Sequence, residues 1–515
     1  MKAIPKKISF PLFLIVAASN LSACSTVGAL LASPTPTATI TPTVTQTPTN
    51  TVTSTPTSTS TPTETPTPTI TPTPTQTSVP ITTPSLVDLP ANLQRDRPVL
   101  SGVVRFVDTP HFRIFYTLAG EDAVEIVDQN GNAVPDYVEQ IAEALEYSWD
   151  YEISVLDWAK PPPDNKVGGD SRYDVYLEDL DFEIAGYTRN SSSSHLGGDN
   201  PNSARIESYA LASYISVDND FKEVLETDYE LTPFEMLRVT VSHELLHAIQ
   251  FGYDGSEPHG WLWEASATWI ETIVYPEVRG SEFFLRAAFK APDTCQLDYG
   301  GWERIEDAGH WYSQWLLIRF LSDKYGVDLI RTIWEKAVYD DGYEALDTAL
   351  ATEGTTFPDE FRSYLVTLLL RNFTYDLPYP TVRLEGLINK PGLFTPVDGV
   401  GQMAADFIQI NATGSLTIEL RRITTGLLVG IIGSEAHVVQ IDDGNISVNA
   451  DSYDKLYLIV INLDLAEDEE DCGFENYSVL VSAGPQSGFD APSWVTTADQ
   501  FIQPLVDGVQ DPDDD

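Results

Sequence analysis

Apolar positions recur along this chain in three rhythms, and the changes of rhythm divide it. Up to about residue 220 they come as short strand-like runs: Gly102-Val-Val-Arg-Phe-Val107, His111-Phe-Arg-Ile-Phe-Tyr116, Arg172-Tyr-Asp-Val-Tyr-Leu177 and Ser213-Tyr-Ile-Ser-Val217. The second of these alternates cleanly between apolar and polar. Residues 135–156 interrupt them with helical spacing. From Thr232 the spacing is helical throughout, predicting helices over 232–252, 261–273, 308–325, 327–337, 343–351 and 359–373. The first of these is punctuated most clearly. Thr232-Pro-Phe-Glu235 reads as a capping box with proline at the first helical position, and Gly252 stands where a glycine often ends a helix. The residues between are so rich in Leu, Val, Ile and Ala that this helix is expected to be buried. After Pro391 a third rhythm sets in. Phe407-Ile-Gln-Ile, Leu416-Thr-Ile-Glu-Leu, Leu427-Leu-Val-Gly-Ile-Ile, Val438-Val-Gln-Ile, Leu456-Tyr-Leu-Ile-Val-Ile and Tyr477-Ser-Val-Leu-Val follow one another between turns. Strands first and helices later predict an α+β domain over 96–390. The later run predicts an all-β sandwich over 391–485, with 486–515 left as an acidic tail.

The beginning of the chain has no such rhythm. Lys2, Lys6 and Lys7 precede an apolar run from Ile8 to about Ala18, a signal-peptide pattern too short for a conventional membrane span. It ends in Leu21-Ser-Ala-Cys24, which closely resembles the bacterial lipobox. That resemblance implies removal of residues 1–23, acylation of the Cys24 thiol and a lipid-anchored protein outside the cell membrane, on the surface or facing the periplasm. From about Ser33 to Pro84 the chain is almost wholly Thr, Pro and Ser. Such a segment buries no core and is expected to be extended, so 24–95 reads as a stalk with threonines open to O-glycosylation. At about 3.1 Å per residue it would reach roughly 150 Å.

Charge narrows the partners. The 515 residues carry 29 basic against 77 acidic side chains, a formal net charge of −48. This argues against nucleic acid or an anionic membrane surface held through a basic patch, and it suits an exterior protein that holds divalent cations. Of three cysteines, Cys295 and Cys472 remain after Cys24. Whether they meet in a disulfide is not legible from sequence.

The chemistry is concentrated in the helix over 232–252. His243-Glu-Leu-Leu-His247 spells H-E-x-x-H, which places both histidines on one helical face, one turn apart. Two neutral imidazoles so spaced grip one zinc ion, and Glu244 beside them can take a proton from water. A catalytic zinc needs a third protein ligand. The metzincin extension would require glycine at 250 and histidine at 253, and this chain has Gln250 and Tyr253. Downstream, Trp261-Leu-Trp-Glu-Ala-Ser-Ala-Thr-Trp-Ile-Glu271 is similar to the W-L-x-E-x-x-A-x-x-x-E segment of aminopeptidase-N-like gluzincins. That resemblance covers mainly 232–271 and implies Glu264 as third ligand. Glu271, two turns further on the same face, better suits a supporting role, and His259, in a loop, is the other competitor.

The chain departs from thermolysin-like enzymes, which carry asparagine and aspartate where it has Trp263 and Thr268, so what orients His243 is left open. It lacks the G-A-M-E-N type segment of aminopeptidases, which favours an endopeptidase acting on protein or peptide substrates. Gluzincins often bring a tyrosine or histidine to the reaction from the next helix, and Ala308-Gly-His-Trp-Tyr-Ser-Gln-Trp315 offers Tyr312 and His310 as catalytic candidates. The resemblance also suggests that the strand at 213–217 is the edge that pairs with an extended substrate.

One further motif stands apart. Asp128-Gln-Asn-Gly-Asn-Ala-Val-Pro-Asp-Tyr-Val-Glu139 places Asp128, Asn130, Asn132, Asp136 and Glu139 at calcium-loop spacing, although Ala133 occupies the position where the turn normally needs glycine. The alternative is an Asx-rich turn that caps the following helix. With H-E-x-x-H and W-x-x-E-A-S-A behind it, this segment resembles a group of exported bacterial metallopeptidase-like proteins with C-terminal sandwich domains. The expected whole is a gluzincin-type, zincin-like α+β domain followed by a β-sandwich. The alternatives are a surface binding or adhesion protein that has lost activity, and a zinc hydrolase of a non-peptide bond.

Overall fold

A computed structural model describes residues 79–87, 96–180, 184–191, 197–225, 231–295, 297, 310–465 and 472–484. The expected leader, the expected lipidation site Cys24, most of the segment read as a stalk and the segment read as an acidic tail lie outside the described residues.

Six strands form the first sheet: β1 (Ser85–Leu86), β2 (Arg105–Asp108), β3 (Phe112–Tyr116), β4 (Tyr173–Glu178), β5 (Gly186–Asn190) and β6 (Ser213–Asp218). Their order is β1-β2-β3-β4-β6-β5. β4 runs parallel to β3 and β6, while β5 closes the sheet antiparallel to β6. Every residue of β3 and β6 is buried, as befits strands covered on both faces. Two expectations shift here. The strand read at 102–107 is Arg105–Asp108, and β1, inside the segment read as stalk, pairs with β2 through Ser85 and Leu86.

The helices are α1 (Asp136–Trp149), α2 (Lys222–Leu225), α3 (Pro233–Asp254), α4 (Gly260–Val274), α5 (Leu285–Lys290), α6 (His310–Ser313), α7 (Trp315–Tyr325), α8 (Asp328–Ala337), α9 (Gly342–Thr352) and α10 (Phe357–Leu370). A π-helical turn, Asp150–Val155, extends α1. The capping box forms on α3: Glu235 N donates to Thr232 Oγ1 at 3.3 Å and Thr232 N to Glu235 Oε2 at 2.8 Å. A cap of this kind is worth about 1 kcal/mol. The helix does not stop at Gly252, however. It runs to Asp254 and is capped by Gly255. Gly252 serves close packing instead, because a Cβ there would stand 2.9 Å from Asn200 Nδ2 and 3.0 Å from Pro162 Cδ. α3 is buried on nearly every side, which explains its wealth of Leu, Val, Ile and Ala around the polar motif residues.

The C-terminal part is β-rich, with β7 (Gly386–Ile388), β8 (Gly392–Phe394), β9 (Val400–Gly401), β10 (Ala404–Ile410), β11 (Ser415–Arg421), β12 (Gly426–Ile432), β13 (Glu435–Ile441), β14 (Asn445–Asn449), β15 (Lys455–Asn462), β16 (Phe474–Glu475) and β17 (Ser478–Ala483). A five-stranded sheet, β13-β12-β15-β10-β7, shares a core with a four-stranded one, β14-β11-β17-β8. Ile408, Leu428 and Leu458 of the first meet Leu416, Ile418 and Val479 of the second. The other face of the five-stranded sheet, with Phe407, Val429, Ile459 and Ile461, joins the core of the helical part. β15 therefore reads as a continuous apolar run, whereas β11, covered on one face, alternates. Cys295 and Cys472 do meet, in a disulfide that ties the end of the α5 segment to the β-rich part. Among the described residues no helix is long and apolar enough to cross a membrane.

Candidate metal centre

α3 sets His243 and His247 one turn apart, with ring centroids 4.7 Å from each other and planes nearly perpendicular at 81°. The short loop 255–259 turns the chain back, and α4 brings Glu264 in from the facing side. Its Oε2 lies 3.3 Å from His243 Nε2 and 3.5 Å from His247 Nε2. One ligand atom from each of the three buried residues falls within 4.8 Å of the others. His247 Nε2 is buried and makes no hydrogen bond. What singles it out among the buried unbonded atoms is its place, facing Glu264 Oε2 within the three-residue cluster, where a lone pair could meet a cation.

The charges fit the same use. Burial pushes the His243 imidazole down, but hydrogen bonds to Glu264 and Glu271 outweigh it and hold the ring up at about 10. Burial pushes the Glu264 carboxyl up, yet His247 and His243 outweigh that and hold it at about 2. Without metal the cluster is a carboxylate between imidazoles, and a cation entering it competes with protons.

The competitors for third ligand are placed differently. Glu271 Oε1 accepts from His243 Nδ1 at 2.8 Å, on the far side of the ring from Glu264. It orients the His243 ring and is not one of the convergent group. His259 caps α4 and lies against Gly342, outside the convergent group. A residue not read from sequence supports His247: Gln250, one turn along α3, places Oε1 2.7 Å from Nδ1. The spacing of three along one helical face was the available signal.

Glu244 is 2% exposed. Burial pushes its carboxyl up from the ordinary carboxylate range, against the pull of His247, His243 and a hydrogen bond from Thr188. Thr188 Oγ1 lies 2.8 Å from both Oε2 and the main-chain O of Glu244 and shares its single proton between them. Thr188 stands on β5, which rides directly on α3. A Cβ on Gly186 would lie 2.7 Å from Thr240 Cγ2 and 3.1 Å from Glu244 Cγ. This corrects the expected substrate edge: residues 213–217 belong to β6, flanked by β4 and β5, and the edge strand beside Glu244 is β5. Gly-Tyr-Thr-Arg-Asn carries no apolar alternation, so β5 had no hydrophobic signature to read.

Tyr312 and His310 separate. Tyr312 stacks on His243 at 6.2 Å and on Phe284 at 4.7 Å. It also lines a cavity of about 60 Å³ beside His243, with Val239, Thr240 and Gly186. His310 is fully buried, with both ring nitrogens unbonded, and burial alone holds it down at about 4. Among the described residues no hydrogen bond or ring contact joins it to the cluster.

The loop before α1 gathers its oxygen-bearing side chains. Asp128 accepts from the main-chain N–H groups of Gly131, Asn132 and Ala133. The Asn130 and Asn132 amides reach Glu139, and Asp136 Oδ1 accepts from Gln129 N. Ala133 takes the left-handed conformation, φ 72°, that the turn requires at that place. Glycine is not needed there, at a strain cost the loop absorbs.

A protein-family model matches residues 231–406. It is described as a family of unknown function, DUF6055. The matched span opens just before α3, holds His243, Glu244, His247, Gln250, Glu264 and Glu271, and ends in β10. No curated protein matches the chain.

Proposed function

We propose that this protein is a zinc-dependent peptidase with a zincin-like domain of the gluzincin type, an accessory β-sandwich and an exported, Cys24-anchored location. What carries the reading is the convergence of His243, His247 and Glu264 beside a buried Glu244 under an edge strand. Two imidazoles and one carboxylate with an unbonded nitrogen between them fit zinc, which takes three protein ligands and an open position in catalytic sites. Bound there, zinc supplies a Lewis acid that brings the pKa of water toward about 7 and polarises a carbonyl.

The chain's own groups do the rest. Glu244, held up by burial, accepts a proton from the attacking water and passes it to the leaving nitrogen. Thr188 fixes the carboxylate while it does so. The outer edge of β5 aligns an extended peptide by main-chain hydrogen bonds, which favours a peptide over other hydrolysable substrates. Tyr312, against His243, is the candidate second donor to the developing oxyanion, and His310 is a packing residue. For the Asp128–Glu139 loop we propose that calcium, taken by its oxygen-bearing side chains, would replace the amide bonds that Asn130 and Asn132 now donate to Glu139.

The test is a mixed peptide library incubated with the purified protein and read by mass spectrometry. Internal cuts that vanish with a chelator and return with zinc are expected. Zinc uptake without any cut would favour a surface-binding protein or a hydrolase of another bond.

A further inference from the structure

Gln250 is 0% exposed, and a buried glutamine is tolerated only where its amide is bonded at both ends. Here both ends are committed. Nε2 reaches the main-chain O of Trp263 at 3.3 Å and Ser266 Oγ at 2.9 Å. The Trp263 carbonyl can only accept, so the nitrogen end of the amide must face it, and the oxygen end must face His247 Nδ1 at 2.7 Å. An amide oxygen can only accept as well. His247 Nδ1 therefore carries a proton, which in the neutral imidazole leaves the lone pair on Nε2, the atom turned toward Glu264. Ser266 anchors this arrangement. Its hydroxyl donates to Leu262 O and accepts from both Gln250 Nε2 and Trp334 Nε1, the latter at 3.0 Å. Ser266 and Trp334 are themselves fully buried.

We infer that Gln250, held by Ser266 and Trp334, is the positioning residue that fixes the tautomer and ring angle of His247 as a metal ligand. The inference rests on the zinc reading above and deepens it. Glu271 does the corresponding work for His243 with a carboxylate. The two ligands are thus oriented from different elements, one from within α3 and one from α4. Outer partners of this kind typically change metal affinity 10- to 100-fold when removed.

The experiment measures zinc affinity by chelator competition on the full purified chain, together with the melting temperature of the metal-free protein. Gln250→Met keeps the side-chain length and removes the acceptor, so zinc binding is expected to weaken by about 10- to 100-fold. Gln250→Glu keeps an acceptor toward His247 and loses the donor toward Trp263. It is expected to melt lower without metal yet hold zinc within about threefold of the wild type. A role in packing alone would lower both melting temperatures and leave both affinities unchanged, which would overturn the inference. So would equal losses of affinity in the two variants. Should Gln250→Met fail to fold, Ser266→Ala, which frees the amide without touching His247, must weaken zinc for the inference to stand. Wild-type protein that takes no zinc overturns the metal reading itself, whereas wild-type zinc binding with unaffected variants overturns only the role of Gln250.

Discussion

Glu264 and Glu271 stand two turns apart on one face of α4, yet they act on opposite nitrogens of His243. Glu264 converges with the imidazoles and Glu271 stands behind one of them, so their removal should differ in kind. Glu264→Ala takes away a ligand and is expected to abolish stoichiometric zinc binding in metal analysis. Glu271→Gln leaves three ligands in place and is expected to weaken binding by about 10- to 100-fold. Equal behaviour of the two would reverse or merge the roles. His243, Glu244 and His247 were legible as a group because the motif follows helical spacing, whereas Glu264, on α4, is pointed to only by the resemblance of the 261–271 segment to gluzincins. Gln250 and Thr188 were not legible. Their importance lies in what they touch, and Thr188 reaches Glu244 only after a strand distant in sequence packs on α3.

Among the elements, β5 carries the substrate edge of the proposed function, and it is one that the sequence concealed. A glycine-led, half-exposed edge strand needs neither alternation nor β-branched residues, so nothing marks it. Its seat on α3 is tight at Gly186, and Gly186→Val is expected to push the strand off Thr240 and Glu244. Peptide turnover should fall by at least about tenfold, equivalent to roughly 1.4 kcal/mol in the barrier, while zinc content stays at the wild-type level. Full turnover in that variant would remove β5 from the substrate path. α3 shows the opposite case, since its capping box and apolar run announced it plainly. Only its end was misjudged, because Gly252 and Gly255 look alike in sequence and their neighbours distinguish them.

In the whole molecule, the helical and β-rich parts share one core through the outer face of the five-stranded sheet. The alternation of β11 and its absence in β15 held that information, although a doubly covered strand reads much like any buried apolar run. Across this junction the Cys295–Cys472 disulfide closes a span of 177 residues. Replacing both cysteines by alanine is expected to lower stability by about 2–5 kcal/mol, measured as denaturant unfolding. An unchanged midpoint would assign the joint to the shared core alone.

Asp406, on β10, gives a pH dependence. Burial pushes its carboxyl up to about 8, against a hydrogen bond from Tyr477 at 2.7 Å. An unfolded aspartate titrates near 4, so the folded state holds this proton more tightly. Its contribution to stability is complete below about pH 4 and is lost as pH rises through about 8. Compared at pH 5 and pH 9, Asp406→Asn should therefore gain stability relative to wild type. A pH-independent difference would show that the carboxyl titrates normally.

The most direct check of the peptidase reading is made on Glu244, the group that handles the proton but does not bind the metal. Wild type and Glu244→Gln, both loaded with zinc, are compared for cleavage of the same peptide mixture and for metal content. The glutamine variant should carry the same zinc as wild type and lose cleavage by about 100-fold or more, because it cannot accept the proton of the attacking water. Cleavage at the wild-type rate by a zinc-loaded Glu244→Gln protein would contradict the proposed mechanism.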